Sequence, residues 1–432
     1  MTSPRSALSQ ISRLTTALTG GFALLFLTGC GSKLHQVFSL SGPQSTMVTA
    51  GPVAERQWDL FMITVWVCTF IFIVVGAVLA YAQVKFRARS EADEHAEPPA
   101  EAGHGNPLVE IGLIAGSVIL LVIIAIPTVR DIWYMHDVPE EEKAGAMDVT
   151  ATGYQWWFKF AYPTELVKLP NGGEAPLSTG NELVVPAGVP VRVQLRTIDV
   201  IHSFWIPKLA GKVDMMPNRG NFLWFKADKP GYFYGQCAEY CGESHAIMKF
   251  RVIALSAADY IKWLDNQKAS ARSVTAQSLA ADAAVTHVRF ASLTNTEPGS
   301  LLGGSPAFDA DPFAAWKKMQ APDAGENAQL IAAGRKLFND KTCVTCHIVR
   351  GHEGIGITGP ELTPGGSRSS LAAGVLENSA ERLHQWIKDP EYFKPGNKMY
   401  HGGYIDVQTK QPKFTLSDPE IDALVAYLHS LK

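Results

Sequence analysis

Leu183-Val-Val-Pro-Ala-Gly-Val-Pro-Val-Arg-Val-Gln-Leu-Arg196 sets the architecture of the middle of this chain. It holds two short apolar runs broken by Pro and Gly. In the second run, Val191, Val193 and Leu195 alternate with Arg192, Gln194 and Arg196. A period of two marks a strand with one buried face and one wet face. Phe222-Leu-Trp-Phe225, Tyr232-Phe-Tyr234 and Phe250-Arg-Val-Ile253 read as further strands, separated by turn signals such as Lys229-Pro-Gly231. Several short strands with turns between them predict an all-β sandwich over residues 147–267.

Toward the N-terminus the chain becomes apolar. Residues 1–29 carry Arg5 and Arg13 ahead of a short run that ends in Leu27-Thr28-Gly29-Cys30. That run is too short to span a bilayer and reads as a secretory signal. Its end resembles the bacterial lipobox, which makes Cys30 a lipidation site; ordinary cleavage nearby is the other reading. Residues 30–146 then hold two spans, at about 60–84 and 108–129, with charge-free cores Leu60–Val84 and Ile111–Val129. Each core is near the length an apolar helix needs to cross the hydrocarbon. Lys85, Arg87 and Arg89 follow the first span directly, so the loop between the spans faces the cytoplasm. The residues after Val129 are then periplasmic, and the expected location is the bacterial inner membrane.

Toward the C-terminus, residues 268–325 are rich in Ala, Ser, Thr and Asp without clear periodicity and are expected to form a linker. From Ala332 onward the pattern turns helical. Ser417-Asp-Pro-Glu420 is a capping-box signature, followed by Ile421, Leu424, Val425 and Leu428 on one helical face. The expected chain is therefore multi-domain: a two-helix transmembrane hairpin, an all-β sandwich, and an all-α domain over residues 326–432.

Composition narrows the function. The chain has 432 residues, 47% apolar and 18% charged, which suits a mosaic of membrane and water-exposed parts and excludes disorder. Its 38 basic and 41 acidic residues leave no basic footprint, so nucleic acid is not an expected partner. Six cysteines are too few and too unevenly placed for a disulfide scaffold.

Four of those cysteines sit in two motifs. Cys237-Ala-Glu-Tyr-Cys241-Gly-Glu-Ser-His245-Ala-Ile-Met248 packs two thiols, an imidazole and a thioether into a turn between two predicted strands. His202 lies upstream in Val200-Ile-His-Ser-Phe204. Thiolate, imidazole and thioether together favour copper over hard cations. One Cys suffices for a mononuclear blue-copper site, and the second offers a sulfur to bridge to another metal. A disulfide, a structural zinc site, or Met and His as packing and surface residues are competing readings. The second motif, Cys343-Val-Thr-Cys346-His347, is the c-type haem attachment signature, with a redox-active C-x-x-C as its alternative. Met399, in Lys394-Pro-Gly-Asn-Lys-Met399, is the only Met after it and the candidate sixth ligand, in competition with His352, His384, His401 and His429.

Residues 55–265 resemble subunit II of haem-copper cytochrome c oxidases, whose cupredoxin domain holds the binuclear CuA centre. The resemblance implies that Cys237 and Cys241 bridge two coppers and that His202 and His245 are terminal ligands. It makes Met248 a weak ligand to one copper and the Glu239 carbonyl a ligand to the other. The Glu239 side chain would face a magnesium site at the boundary with subunit I. It also associates Trp156, in the aromatic run Tyr154–Phe160 on a predicted strand, with electron input, and Glu110 with the mouth of a proton path. Residues 326–432 are similar to a small class I cytochrome c, with Gly334 and Phe338 on its first helix facing Tyr427 on the last. Gly359-Pro360 falls where a carbonyl receives the haem-ligand His N–H. Cys68 reads as a small apolar residue of the first span.

The resemblance implies an oxidase subunit that receives electrons from a periplasmic or membrane-bound donor and passes them from haem c through copper to subunit I, with subunit III also in the complex. Oxygen reduction and proton translocation would belong to subunit I. A copper-containing nitric oxide reductase subunit and a membrane-tethered redox relay are the two other expectations.

Overall fold

The computed structural model describes residues 42–90, 105–275, 305–354, 356 and 358–432. The candidate signal peptide and Cys30 lie outside the described residues.

Helices α1 (Pro52–Lys85) and α2 (Pro107–His136) each carry a stretch apolar enough to cross a membrane, with none of it buried in the protein. Both run past the charge-free cores into polar flanks, and there they find partners. Asp131 on α2 is 1% exposed and accepts from Arg56 on α1 and from its neighbour Arg130, each at 3.1 Å. The Trp224 indole donates to the Tyr134 carbonyl at 3.2 Å, seating the outer end of α2 on the sandwich. A short helix α3 (Glu140–Lys143) follows.

Ten strands build the sandwich: β1 (Met147–Tyr154), β2 (Trp157–Lys168), β3 (Glu174–Gly180), β4 (Glu182–Pro186), β5 (Val191–Thr197), β6 (His202–Trp205), β7 (Lys212–Met215), β8 (Asn221–Phe225), β9 (Gly231–Cys237) and β10 (Lys249–Leu255). One sheet has the order β3-β2-β1-β5-β8 and the other β4-β10-β9-β6-β7. The alternation in β5 is realised as expected: Val191, Val193 and Leu195 are fully buried, with Arg192 and Gln194 on the wetter face. Phe158, Phe160, Phe204 and Phe250 fill the space between the sheets, with Phe204 and Phe250 stacked at 4.5 Å. The aromatic run Tyr154–Phe160 is a hairpin corner rather than one strand, since β1 ends at Tyr154 and β2 starts at Trp157. Helix α4 (Ala257–Lys268) closes the sandwich.

The expected linker over 268–325 is partly folded. Helices α5 (Pro306–Ala310) and α6 (Pro312–Met319) start at Ser305 and Asp311, whose side chains accept the Phe308 and Ala314 amides at 3.2 and 2.9 Å. Phe308 and Trp316 are buried, and Trp316 joins the sandwich core. Helices this short offer too few apolar positions for a period to show in sequence.

The C-terminal domain comprises α7 (Ala328–Asp340), α8 (Ala380–Lys388), α9 (Pro390–Phe393) and α10 (Asp418–His429), and the expected all-α fold is interrupted by a minimal antiparallel pair, Ser370–Leu371 with Leu376–Glu377, between α7 and α8. The capping box forms: the Glu420 carboxylate accepts the Ser417 amide at 2.8 Å. Helices α7 and α10 cross at Gly334, where an added Cβ would stand 1.9 Å from the Ala423 carbonyl oxygen, and the Phe338 and Tyr427 rings meet at 5.5 Å.

This domain is docked on the sandwich through buried polar groups. Arg350, paired with Glu361, donates to the Gln267 and Lys268 carbonyls at the end of α4. Arg251 on β10 donates to the Gly374 carbonyl at 2.8 Å, and the Lys249 amide donates to Ala373 at 3.0 Å.

Candidate copper and haem centres

Strand pairing brings the sulfur and nitrogen donors together. Cys237 ends β9, His202 opens the adjacent β6, and the loop between β9 and β10 supplies the rest. The Cys241 thiol is the hub, 3.8 Å from Cys237 Sγ, 3.6 Å from His245 Nδ1 and 3.8 Å from Met248 Sδ. Cys237 Sγ in turn lies 3.9 Å from His202 Nδ1 and 3.3 Å from the Glu239 carbonyl oxygen. The two sulfurs are not bonded, since a disulfide spans about 2.05 Å. Every donor the sequence nominated for copper is therefore in one cluster, and the soft, closed donor set fits copper. The Glu239 side chain is exposed.

Surrounding groups fix these donors. His202 Nε2 donates to Asp199 Oδ1 at 2.9 Å, which leaves the Nδ1 lone pair facing Cys237. The Asp199 carboxylate also accepts the Gln155 amide at 2.8 Å. Burial raises its pKa, but these hydrogen bonds outweigh that and hold it below the ordinary carboxylate range. The Cys241 carbonyl accepts from Gln155 Nε2 at 2.9 Å and from the Trp156 indole at 3.0 Å. Asp199, Gln155 and Ser244 carry no sequence signal of their own; they are found only when the chain folds. Asp199→Ala should lower copper affinity by about 10–100-fold without loss of the fold, measured as copper retained against a graded chelator.

In the C-terminal domain, His347 Nδ1 donates to the Pro360 carbonyl at 2.8 Å, the partner expected from Gly359-Pro360. This sets the tautomer and frees Nε2 for a metal. Burial pulls the imidazole below its ordinary range, and the Pro360 hydrogen bond only partly opposes it, so the ring stays neutral. The Cys343 and Cys346 thiols are free and half-buried beside it, as thioether attachment needs. Each competing imidazole has a partner on at least one ring nitrogen, while His352 and His429 each keep a buried Nε2 without one. His352 pairs with the Tyr427 hydroxyl at 2.9 Å, His384 with Asp422 at 2.9 Å, His401 with Glu391 at 3.0 Å and His429 with Asp323 at 3.5 Å. The donors present fit a covalently held haem.

The two domains touch beside the copper-side cluster. The Met399 loop lies on the copper-side loop: the Ser244 hydroxyl donates to the Pro395 carbonyl at 2.6 Å, and Lys398 pairs with Asp199 at 3.7 Å. Gly396, at φ +74°, presses on the Trp156 ring, which a Cβ there would approach to 2.9 Å. Lys394 is buried and donates to the Ala372 carbonyl at 3.1 Å; burial pulls its ammonium down to about 7, with Cys241 opposing. Glu110 stands in the first turn of α2 and is exposed, as is Cys68 on α1.

Fold and site define a membrane-anchored chain that joins a cupredoxin-like domain to a cytochrome c domain. The family description "Cytochrome C oxidase subunit II, periplasmic domain" matches residues 147–255, and "Cytochrome c" matches residues 331–432. Cytochrome c oxidase subunit 2 of Alkalihalophilus pseudofirmus is 31% identical over 414 residues, covering 95% of each chain. The Bacillus subtilis protein of the same name is 30% identical over 422 residues, covering 94% of this chain and 95% of its own. The crystal structure of the periplasmic domain of subunit II of cytochrome oxidase from Bradyrhizobium japonicum is 35% identical, with a TM-score of 0.24, over 28% of this chain and 93% of that one. The chain belongs to the cytochrome c oxidase subunit 2 family, in a form with a fused cytochrome c domain, and is a subunit of a haem-copper oxidase whose partner is subunit I.

Proposed function

We propose that this chain is the electron-input subunit of a terminal oxidase that reduces oxygen to water and translocates protons. The observation that carries this reading is the contact of the Met399 loop with the copper-side loop, with Pro395 and Gly396 seated on Ser244 and Trp156. Cys343 and Cys346 would hold haem c covalently, and His347 and Met399 would ligate its iron. Cys237, Cys241, His202, His245, Met248 and the Glu239 carbonyl would hold two coppers. When bound, both groups supply one-electron transfer with no open coordination position for a substrate. The residues of the chain supply rigidity and contact: Asp199 fixes the His202 ring, Pro360 fixes the His347 ring, and Trp156 bridges the Gly396 backbone to the Cys241 carbonyl.

The Glu239 side chain is the proposed magnesium contact at the subunit I boundary, Glu110 the proposed proton-loading group, and Cys30 the proposed lipid anchor. Subunit III and a periplasmic or membrane donor complete the proposed assembly in the inner membrane.

Oxygen uptake by the complex isolated through this chain tests the reading. Rapid, cyanide-sensitive uptake with copper and covalent haem present is expected. Nitric oxide consumption without oxygen uptake would move the assignment to a nitric oxide reductase, and isolation without any partner would favour a tethered relay. Within the working complex, Trp156→Phe removes the indole N–H from the Cys241 carbonyl and part of the ring under Gly396. Haem-to-copper transfer after rapid haem reduction should slow about tenfold or more for about 1.4 kcal/mol of added barrier. An unchanged rate would remove Trp156 from the path.

A further inference from the structure

Glu182 opens β4, an edge strand of the second sheet, and is 4% exposed. A buried carboxylate is costly unless donors surround it. Here they come from two segments outside the sandwich. Oε1 accepts the Ser369 amide at 2.6 Å and also the Ser369 hydroxyl. Oε2 accepts the Trp316 indole N–H from α6 at 3.2 Å. The Ser369 hydrogen is directed at Glu182, so the Tyr232 hydroxyl of β9 donates to Ser369 Oγ, at 2.7 Å. A void of about 10 Å³ beside Glu182, Trp316 and Arg368 leaves room for roughly one water. Gln320 at the end of α6 ties to the Ser367 carbonyl at 2.8 Å.

One carboxylate on the sandwich thus collects the folded part of the connecting segment and the C-terminal domain at a single point. From that point the contact runs through Ala373 and Gly374, which receive Lys249 and Arg251, to Pro395 and Gly396 on the copper-side loop. Donors from two separate segments on the two oxygens of one planar group fix orientation as well as proximity.

We propose that Glu182 is a positioning residue for electron transfer: it latches the cytochrome c domain and α6 onto the sandwich, so that transfer between the two centres needs no domain movement. This rests on the proposed path between haem and copper.

The test uses the full chain in its complex, loaded with copper and haem. Glu182→Gln keeps the shape but replaces one acceptor oxygen with an N–H donor, which must face either Ser369 or Trp316. Exchange of the Lys249 amide, which bonds across the junction to Ala373, should accelerate about tenfold or more, as expected when a buried donor loses its acceptor. Haem-to-copper transfer should slow and become dependent on solvent viscosity, whereas the natural chain should be indifferent to viscosity. Ser369→Ala removes one donor from the other side while leaving the sandwich sequence intact. It should shift both readouts in the same direction by less, and it decides the matter if Glu182→Gln fails to load copper or haem. Unchanged exchange and unchanged transfer overturn the proposal. Faster exchange with unchanged transfer also overturns the positioning role while leaving the electron path standing. Absence of haem-to-copper transfer in the natural chain would instead overturn the path.

Discussion

A Cys241→Ala chain is expected to keep its covalent haem and lose its copper. The argument is geometric. Cys241 Sγ is the one sulfur within 4 Å of Cys237, His245 and Met248, so its removal severs the His245 and Met248 side of the cluster from the Cys237 and His202 side. Loss of a supporting residue costs about 10–100-fold in metal affinity, and loss of the thiol at the centre of the donor cluster should exceed that. The side chain is 3% exposed in an apolar surround, so Ala leaves a small cavity of about one sulfur and the sandwich stays folded. The Cys241 carbonyl, which holds Gln155 and Trp156, is retained. Metal analysis should find haem unchanged and copper near background. Reductant should reduce the haem fully, while oxygen uptake by the complex falls to background. Copper retained with its native spectrum would mean that Cys241 is not a bridging ligand.

The second large effect is on the fold of the cytochrome c domain. Gly334→Val should destabilise that domain by about 3 kcal/mol. Two terms of opposite sign compete. Replacing glycine inside a helix gains roughly half a kcal/mol in propensity for Val and about 1 for Ala. Against this, a Cβ at 334 would stand 1.9 Å from the Ala423 oxygen and 2.8 Å from Tyr427 Cβ. The nearest atoms belong to the backbone of α10, which cannot rotate aside, so the crossing must open and the Phe338–Tyr427 contact with it. Thermal melting of the full chain, followed by haem absorbance, should show a transition lower by about 10–20 °C. An unshifted transition would mean that the crossing is looser than the structure has it.

Much of this architecture is legible in the sequence, for physical reasons. Strand β5 shows itself because one face of it is dry and the other wet. The capping box at Ser417 and Glu420 is local, and all the copper-side donors but His202 lie within the short segment 237–248. Gly334, Phe338 and Tyr427 were expected to face one another and do. Other features were illegible because they depend on long-range contact. Trp316 gains its meaning from Glu182, 134 residues away, and Asp199 gains part of its meaning from Lys398. Nothing in the Ala- and Ser-rich composition around α5 and α6 announces that single aromatic side chains anchor them. The hairpin corner at Gln155-Trp156 was hidden inside an aromatic run that reads as continuous strand.

The seating of Pro395 and Gly396 on the copper-side loop also constrains the order in which this molecule is built. Cys237 and Cys241 are buried, and one flank of their cluster is roofed by the Met399 loop through Ser244 and Trp156. Elsewhere on the same loop Tyr240 is 75% exposed beside the His245 ring. Metal arriving after the domains have closed finds less of the cluster's edge uncovered, and any subunit that settles against Tyr240 and His245 covers more of it. Maturation of the chain is therefore a sequence with a deadline: the thiols must be reduced and filled before the last neighbour takes its place.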